Sequence, residues 1–315
     1  MEFRTIVDIP KPRFQIEPFE EMLFVGSCFA DSIGQRFVEN KFRATVNPYG
    51  TMYNPASVLH TVERFEGTPR VVFITLGTNH VYRLKETGEI VDNCQKRPAA
   101  LFQEEELTVD ECADYLRQTA ELLCRRRPDV HVVFTVSPIR YRKYGYHESQ
   151  LSKATLLLAV DKVCIGLNGL SRTSQARAVR ESPFPSAAIH SPEAVHESPF
   201  PSAAKNFPEE VRESPFPSAA YFPAYEILMD ELRDYRFYAD DMLHPSSQAV
   251  AYIWQQLVAH YFSDAAKEFL REWAPLKAAL NHRPFDADSE AYHAFMDKTM
   301  LKVAELQKKY PTFAL

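Results

Sequence analysis

Short apolar runs alternate with amphipathic segments through the first half of the chain. The runs have the length of buried strands, and the segments between them have the apolar spacing of helices. The predicted strands span 22–25, 42–46, 70–76 and 131–136. The predicted helices span 30–39, 55–65, a segment that begins at Thr108, and 149–163. Because alternation of this kind produces a parallel sheet with helices on both faces, the pattern predicts an α/β three-layer sandwich with a mainly parallel sheet.

Local signals add detail to this plan. Thr108 and Glu111 have the spacing of a capping box at a helix start. Residues 81–91 read as a hairpin that turns at a Thr-Gly pair. Further on, 221–222 are predicted to form the last short strand, and 246–262 to form an amphipathic helix.

The octapeptide ESPFPSAA occurs three times, beginning at Glu181, Glu197 and Glu213. Each copy carries two prolines and no periodic apolar face, so the repeats cannot bury a core. We expect 171–220 to be a Pro-rich, largely disordered insertion made by tandem duplication, with a docking segment for an aromatic-lined groove as the alternative. The predicted organisation is therefore an α/β domain over 1–170 and 221–262, the insertion over 171–220, and a helical extension over 263–315.

Composition and charge exclude several classes of protein. The net charge is −6 and no long basic run occurs, so we expect no nucleic-acid partner. No apolar run approaches the length of a membrane span, and the N-terminal residues lack the apolar segment of a secretory signal. The five cysteines are an odd number without metal-binding spacing, which favours reduced thiols in the cytoplasm. Oligomeric state is not predicted.

The first candidate for chemistry is the segment Gly26–Ala30, where a predicted strand meets a predicted helix. Ligands of open α/β sheets bind beyond the carboxyl ends of the strands, where helix N-termini present backbone N–H groups. Ser27 or Cys28 at this position has the setting of a nucleophile. The structural alternative is that Ser27 caps the helix while Cys28 packs beneath it.

The second candidate is the pair Asp241 and His244, which would share a face of one helical turn. A carboxylate that holds one imidazole nitrogen leaves the other nitrogen free to take a proton from a nucleophile. The structural alternative is that His244 only precedes the helix that begins after Pro245.

The third candidate is the segment that follows the strongest predicted strand. Asn79 offers an amide donor where an oxyanion could form, although Asn at a strand end is also an ordinary turn residue. Gly50, after the second strand, offers a backbone N–H to the same place, with an ordinary turn as the alternative.

The order of these features resembles the pattern of SGNH/GDSL hydrolases, in which a nucleophile turn, a Gly, a Gly-x-Asn and an Asp-x-x-His follow one another. The chain is more closely similar to the GSCFA family, which is placed with the SGNH hydrolases. The strings that carry this likeness are VGSCFADSIG, NPYGTMYNP, SPIRYRK and YFPAYEILMDELRDYRFYADDMLHPS. The likeness spans about residues 15–262 apart from the insertion. It implies an SGNH-like, flavodoxin-like catalytic domain with esterase or acyltransferase activity on an ester or thioester, such as an O-acylated carbohydrate, and with no cofactor or metal.

Aligning the chain with the SGNH pattern also assigns catalytic roles to its residues. The ungapped match puts Cys28 on the nucleophile, and a shift by one residue puts Ser27 there but places Val25 where the pattern has glycine. We therefore favour Cys28, with His244 as base and Asp241 orienting it. The resemblance implies that the N–H groups of residue 28 and Gly50, with the Asn79 amide, stabilise the oxyanion. Where the family often has GTAW and NCHK, this chain has GTNH and NCQK, so His80 and Asn93 are further candidates for that role.

Two other functional classes stay open. The chain could be a non-catalytic glycan-binding protein on a hydrolase scaffold. It could also be an interaction protein that assembles partners through the Pro-rich insertion and the helical extension.

Overall fold

A computed structural model describes residues 4–92, 97–168 and 218–313. Its strands are β1 (Glu21–Gly26), β2 (Arg43–Val46), β3 (Val71–Leu76), β4 (His80–Leu84), β5 (Ile90–Val91), β6 (Phe102–Glu106), β7 (His131–Val136) and β8 (Ser218–Tyr221). Its longer helices are α1 (Cys28–Glu39), α2 (Pro55–Arg64), α3 (Val109–Arg126), α4 (Tyr146–Asn168), α5 (Ser247–Tyr261), α6 (Asp264–Leu280) and α7 (Glu290–Lys309). In these parts of the chain no helix combines the length and apolarity needed to cross a bilayer.

The central sheet has five parallel strands in the order β2-β1-β3-β7-β8. Successive residues of β1 alternate between its two faces, as the pleat requires. Phe24 packs into a core with α1, α5, α6 and α7, whereas Val25 packs into a second core with α2, α3 and α4. Helices therefore cover both faces, which confirms the predicted three-layer α/β fold.

The C-terminal helices extend one of these cores. Phe269 and Trp273 of α6 are buried, and the Trp273 indole N–H donates to the Glu39 carbonyl oxygen at the end of α1 at 3.2 Å. Burying a side chain of this size contributes roughly 2 kcal/mol to folding. The predicted helical extension is confirmed as two helices that pack on the α/β core.

A small antiparallel sheet, β5-β4-β6, stands apart from the central one. The predicted hairpin over 81–91 is confirmed by the pairing of Tyr82 with Val91. Its turn contains Gly88 at φ +74°, a left-handed conformation that glycine adopts without strain. The third strand, β6, was not predicted, since its sequence FQEEE lacks alternating apolar positions.

The last strand of the central sheet begins earlier than the sequence indicates. Residues 218–220, expected to belong to the insertion, form most of β8, and Ala219 is buried between β7 and α4. The Asn168 side chain holds this strand, since its Nδ2 donates to the Ala219 carbonyl at 2.8 Å and its Oδ1 accepts from the Ala219 N–H at 3.3 Å. The expected insertion otherwise lies outside the described residues.

Candidate active site

The loops that follow β1, β2 and β3 are joined at the carboxyl edge of the central sheet. The Met52 N–H donates to the Gly26 carbonyl at 2.8 Å, and the N–H groups of Gly77 and Thr78 donate to the Tyr53 carbonyl at 2.8 and 2.9 Å. The loop after β2 therefore lies between the other two. This is the edge at which an open α/β sheet binds its ligands.

Gly26 ends β1 in a conformation that excludes other residues. Its φ is +142°, and a Cβ atom added to it would lie 2.0 Å from the Thr75 carbonyl oxygen of the neighbouring strand. Its N–H donates to the Asn47 Oδ1 at 2.9 Å. The chain therefore turns sharply into α1, and it does so against the loop after β2.

Ser27 has the structural role that the sequence left open. It is the N-cap of α1, and its Oγ accepts a hydrogen bond from the Phe29 N–H at 3.3 Å. The same oxygen contacts the Thr75 Oγ1 at 3.2 Å, and only 2% of Ser27 is exposed. The Ser27 hydroxyl is therefore buried and already makes hydrogen bonds within the protein.

Cys28 is the first residue of α1 and is partly exposed, not packed beneath the helix. Its Sγ lies 3.5 Å from the hydroxyl oxygen of Tyr53. Among the described residues its backbone N–H has no hydrogen-bond acceptor, as is common at the start of a helix. A thiol, an unpaired N–H and the positive end of a helix dipole therefore meet at one point.

Tyr53 is a member of this site that the sequence analysis did not identify. Burial, with a further contribution from the neighbouring Cys28, raises the pKa of Tyr53, so the phenol keeps its proton at neutral pH. The residue belongs to the string NPYGTMYNP, but only the path of the folded loop brings its hydroxyl to the thiol.

Asp241 and His244 form a close pair. The His244 Nδ1 and the Asp241 Oδ2 are 2.5 Å apart, and the Asp241 Oδ1 accepts hydrogen bonds from the N–H groups of Leu243 and His244 at 2.9 Å each. These bonds, led by the one from the His244 N–H, lower the pKa of Asp241 to about 2. The pair lies in an exposed turn and not on the helical turn that was expected.

The turn with His244 lies at the same edge of the sheet. The Arg140 N–H, in the loop after β7, donates to the Leu243 carbonyl at 3.2 Å. The next residue, Tyr141, has its ring centroid 6.1 Å from that of Tyr53. Within the described residues no hydrogen bond joins His244 to Cys28.

Two expected oxyanion donors are already in use. The Gly50 N–H donates to the Asn47 carbonyl at 2.9 Å in a turn. The Asn79 Nδ2 donates to the Leu107 carbonyl at 2.8 Å, and its buried Oδ1 has no protein partner among the described residues. Both residues therefore make hydrogen bonds within the loops at this edge of the sheet.

The remaining candidates differ in placement. The His80 ring is buried and stacks on Tyr144 with 3.8 Å between centroids, and burial lowers its pKa. Asn93 lies outside the described residues. In the described ranges no group of three His, Cys, Asp or Glu side chains is placed to hold a metal ion.

A buried lysine supports the loop after β3. Lys153, on α4, is 2% exposed, and its Nζ donates to the Gly77 carbonyl at 2.7 Å. Burial, and then the charge of Arg140, lower the pKa of Lys153 to about 7. The adjacent Ser152 Oγ accepts from the Asn79 N–H at 3.0 Å. The sequence analysis treated this part of α4 as an ordinary helix and missed both residues.

Comparison with protein families gives two matches. The model of the GSCFA family matches residues 21–69, 65–186 and 202–257. The model of the GSCFA domain protein C-terminal domain matches residues 273–315. None of the curated proteins matches the chain significantly.

Several solved structures are similar in fold. One is a protein from Parabacteroides merdae assigned as a GDSL-like lipase, with 11% identity, a TM-score of 0.41, and coverage of 79% of this chain and 99% of that one. A carbohydrate esterase of family 3 from Talaromyces cellulolyticus has 8% identity and a TM-score of 0.35 over 80% of this chain and 99% of that one. An acetyl esterase mutant with an acetate ion has 9% identity and a TM-score of 0.38, again over 80% and 99%.

Proposed function

The chain belongs to the GSCFA family, and from that premise we propose that it is an esterase or acyltransferase whose nucleophile is Cys28. The observation that carries the proposal is the partly exposed thiol at the first position of α1, beside an unpaired N–H and the Tyr53 hydroxyl. Ser27, the alternative, has a buried hydroxyl that caps the helix.

In the first step the Cys28 Sγ attacks the carbonyl carbon of an ester, and His244 takes the thiol proton. The Asp241 carboxylate, ionised at all but strongly acidic pH, holds Nδ1–H and leaves Nε2 free to accept that proton. The imidazole must approach the thiol for this transfer. Hydrogen bonds between catalytic groups often form fully only when substrate is bound.

The tetrahedral intermediate then collapses. The carbon–oxygen bond to the alcohol breaks, His244 returns its proton to the leaving oxygen, and an acyl thioester stays on Cys28. Water or an acceptor alcohol attacks this thioester while His244 removes its proton, and the thiol is restored. The same site therefore supports hydrolysis and transfer.

The oxyanion of the intermediate needs donors that the fold has not already used. The Cys28 N–H is one, and we assign the second role to the Tyr53 hydroxyl, which keeps its proton at neutral pH. Losing one such donor typically raises the barrier by about 3 kcal/mol. The Gly50 N–H and one N–H of the Asn79 amide are instead hydrogen-bonded within the loops.

One observation favours a second candidate function. Since no hydrogen bond joins His244 to Cys28 in the described residues, the scaffold could bind an acylated glycan without turning it over. Turnover of an ester would support the enzyme, whereas saturable glycan binding without turnover would support the binding function.

The test is hydrolysis of 4-nitrophenyl acetate and butyrate by the purified chain. Cys28→Ala and His244→Ala should each lower kcat by at least about a thousandfold, because nucleophile and base act as one unit. Ser27→Ala should retain turnover and lose about 1 kcal/mol of stability, which is the usual cost of removing a helix N-cap.

Matched controls are available at the opposite edge of the sheet. Cys124 lies near the end of α3 that leads into β7, and His260 lies near the end of α5. Cys124→Ala and His260→Ala should keep wild-type rates. Equal loss in the controls, or full activity in Cys28→Ala, would rule out the assigned nucleophile. Glycan binding without hydrolysis of any ester would support the second candidate.

A further inference from the structure

A pocket of about 580 Å³ opens beside the turn that carries His244. Its walls include two arginines, three tyrosines and two methionines: Arg140, Arg233, Tyr146, Tyr235, Tyr238, Met229 and Met242. The Arg140 N–H donates to the Leu243 carbonyl, one residue before His244. The volume lies within the range of sites for small molecules.

Among the described residues the guanidinium of Arg140 hydrogen-bonds only to neutral side-chain groups, one of which is the Tyr238 hydroxyl. Its Nη1 donates to the Met229 Sδ at 3.4 Å, and its buried Nε has no hydrogen-bond partner among the described residues. No carboxylate of the described residues lies within ion-pair distance of it. A guanidinium carries five N–H donors, and a buried donor without a partner is costly.

A second donor converges on the same sulfur. The Tyr238 hydroxyl donates to the Met229 Sδ at 3.4 Å. A thioether is a weak acceptor, so two strong donors share one poor partner. Methionine is flexible and can move aside, after which an oxyanion would satisfy both donors.

The charges around the pocket also favour an anion. Arg233 lines it as a second cation, and Asp234 as one anion, whose Oδ1 is held by the Arg236 N–H at 2.8 Å. The Arg140 guanidinium lies 5.7 Å from the centre of the Tyr146 ring, which forms a flat wall. An acidic group with a ring or short chain attached fits these features.

We propose that this pocket binds a carboxylate or phosphate on the substrate, remote from the ester bond, with Arg140 and Tyr238 as its donors. The proposal deepens the function proposed above and rests on it. The substrate class is therefore an anionic ester, and Arg140 is a specificity residue.

Binding is tested without turnover, by calorimetric titration of the full chain with two probes, glutarate for the carboxylate and phenyl phosphate for the phosphate. At least one should bind, and Arg140→Met should weaken it at least about tenfold, as loss of a charge-assisted bond implies. Arg142→Met is the matched control, since this exposed arginine does not line the pocket. It should change binding by less than about twofold.

Tyr238→Phe removes one hydroxyl and should weaken binding a few-fold, which gives a second test if Arg140→Met does not fold. Absence of binding by both probes, or equal binding by Arg140→Met, overturns the inference while leaving esterase activity intact. Binding that depends on Arg140 in a chain that hydrolyses no ester would instead refute only the proposed function.

Discussion

Replacing the buried Lys153 by methionine should remove this residue's contribution to the pH dependence of stability between pH 7 and pH 9. Lys153 is 2% exposed and donates to the Gly77 carbonyl. Burial, and then the charge of Arg140, lower its pKa from 10.5 to about 7. The unfolded chain therefore binds more protons at this residue than the folded chain does throughout the interval.

The sign and size follow from this difference. Stability rises with pH wherever the unfolded state binds more protons, so the contribution of Lys153 grows from about pH 7 towards pH 10.5. Integrated from pH 7 to pH 9, the two pKa values give about 2 kcal/mol. Below pH 7 the folded group is protonated as well, and the slope disappears.

The assay is urea denaturation of the wild type and Lys153→Met at several pH values from 7 to 9. Other groups titrate in this interval, so the quantity to compare is the difference between the two proteins at each pH. Lys162→Met is the control, because Lys162 lies on the same helix but is exposed and paired with Asp110 at 2.7 Å. It should keep the wild-type slope. Parallel pH profiles of the wild type and Lys153→Met would refute the reasoning.

Three further changes give distinct outcomes. Gly26→Ala should yield little folded protein, since its Cβ would lie 2.0 Å from the Thr75 carbonyl oxygen; circular dichroism and yield measure this, and a wild-type melting temperature would contradict it. Asp241→Asn should lower kcat at least about tenfold while KM changes little, because His244 loses the group that fixes its tautomer; unchanged kcat would exclude that role. Deleting 181–212 removes two 16-residue repeats and keeps the copy that supplies β8, so melting temperature and activity should persist, and an insoluble product would show that the first two copies are needed.

Much of the fold was predictable because its signals are local. The continuous apolar runs of β1, β3 and β7 reflect strands buried on both faces, and the caps at Asn54 and Thr108 are formed by neighbouring residues. Strand β6 escaped prediction because its acidic residues pair with β4 through the tertiary fold. Strand β8 escaped prediction because its residues 218–220 belong to the third copy of the repeat, which was expected to be part of the insertion.

The candidate site likewise has residues that the sequence predicted and residues that it did not. The motif order indicated Cys28 and the pairing of His244 with Asp241, since spacing and type of residue carry that information. Tyr53 and Lys153 were missed because their contacts join loops and helices that are distant in the chain. Gly50 was expected to supply a donor, but a motif does not reveal whether an N–H is already bonded within its own turn.

The measurement closest to the central claim is identification of the acylated atom. The chain is mixed with 4-nitrophenyl acetate, quenched with acid, digested and analysed by tandem mass spectrometry. The account predicts an acetyl group on Cys28 that neutral hydroxylamine removes, as a thioester requires, and that is missing in Cys28→Ala. An acetyl group on Ser27 that resists hydroxylamine, or a hydrolysing enzyme that never acylates either residue, would contradict it.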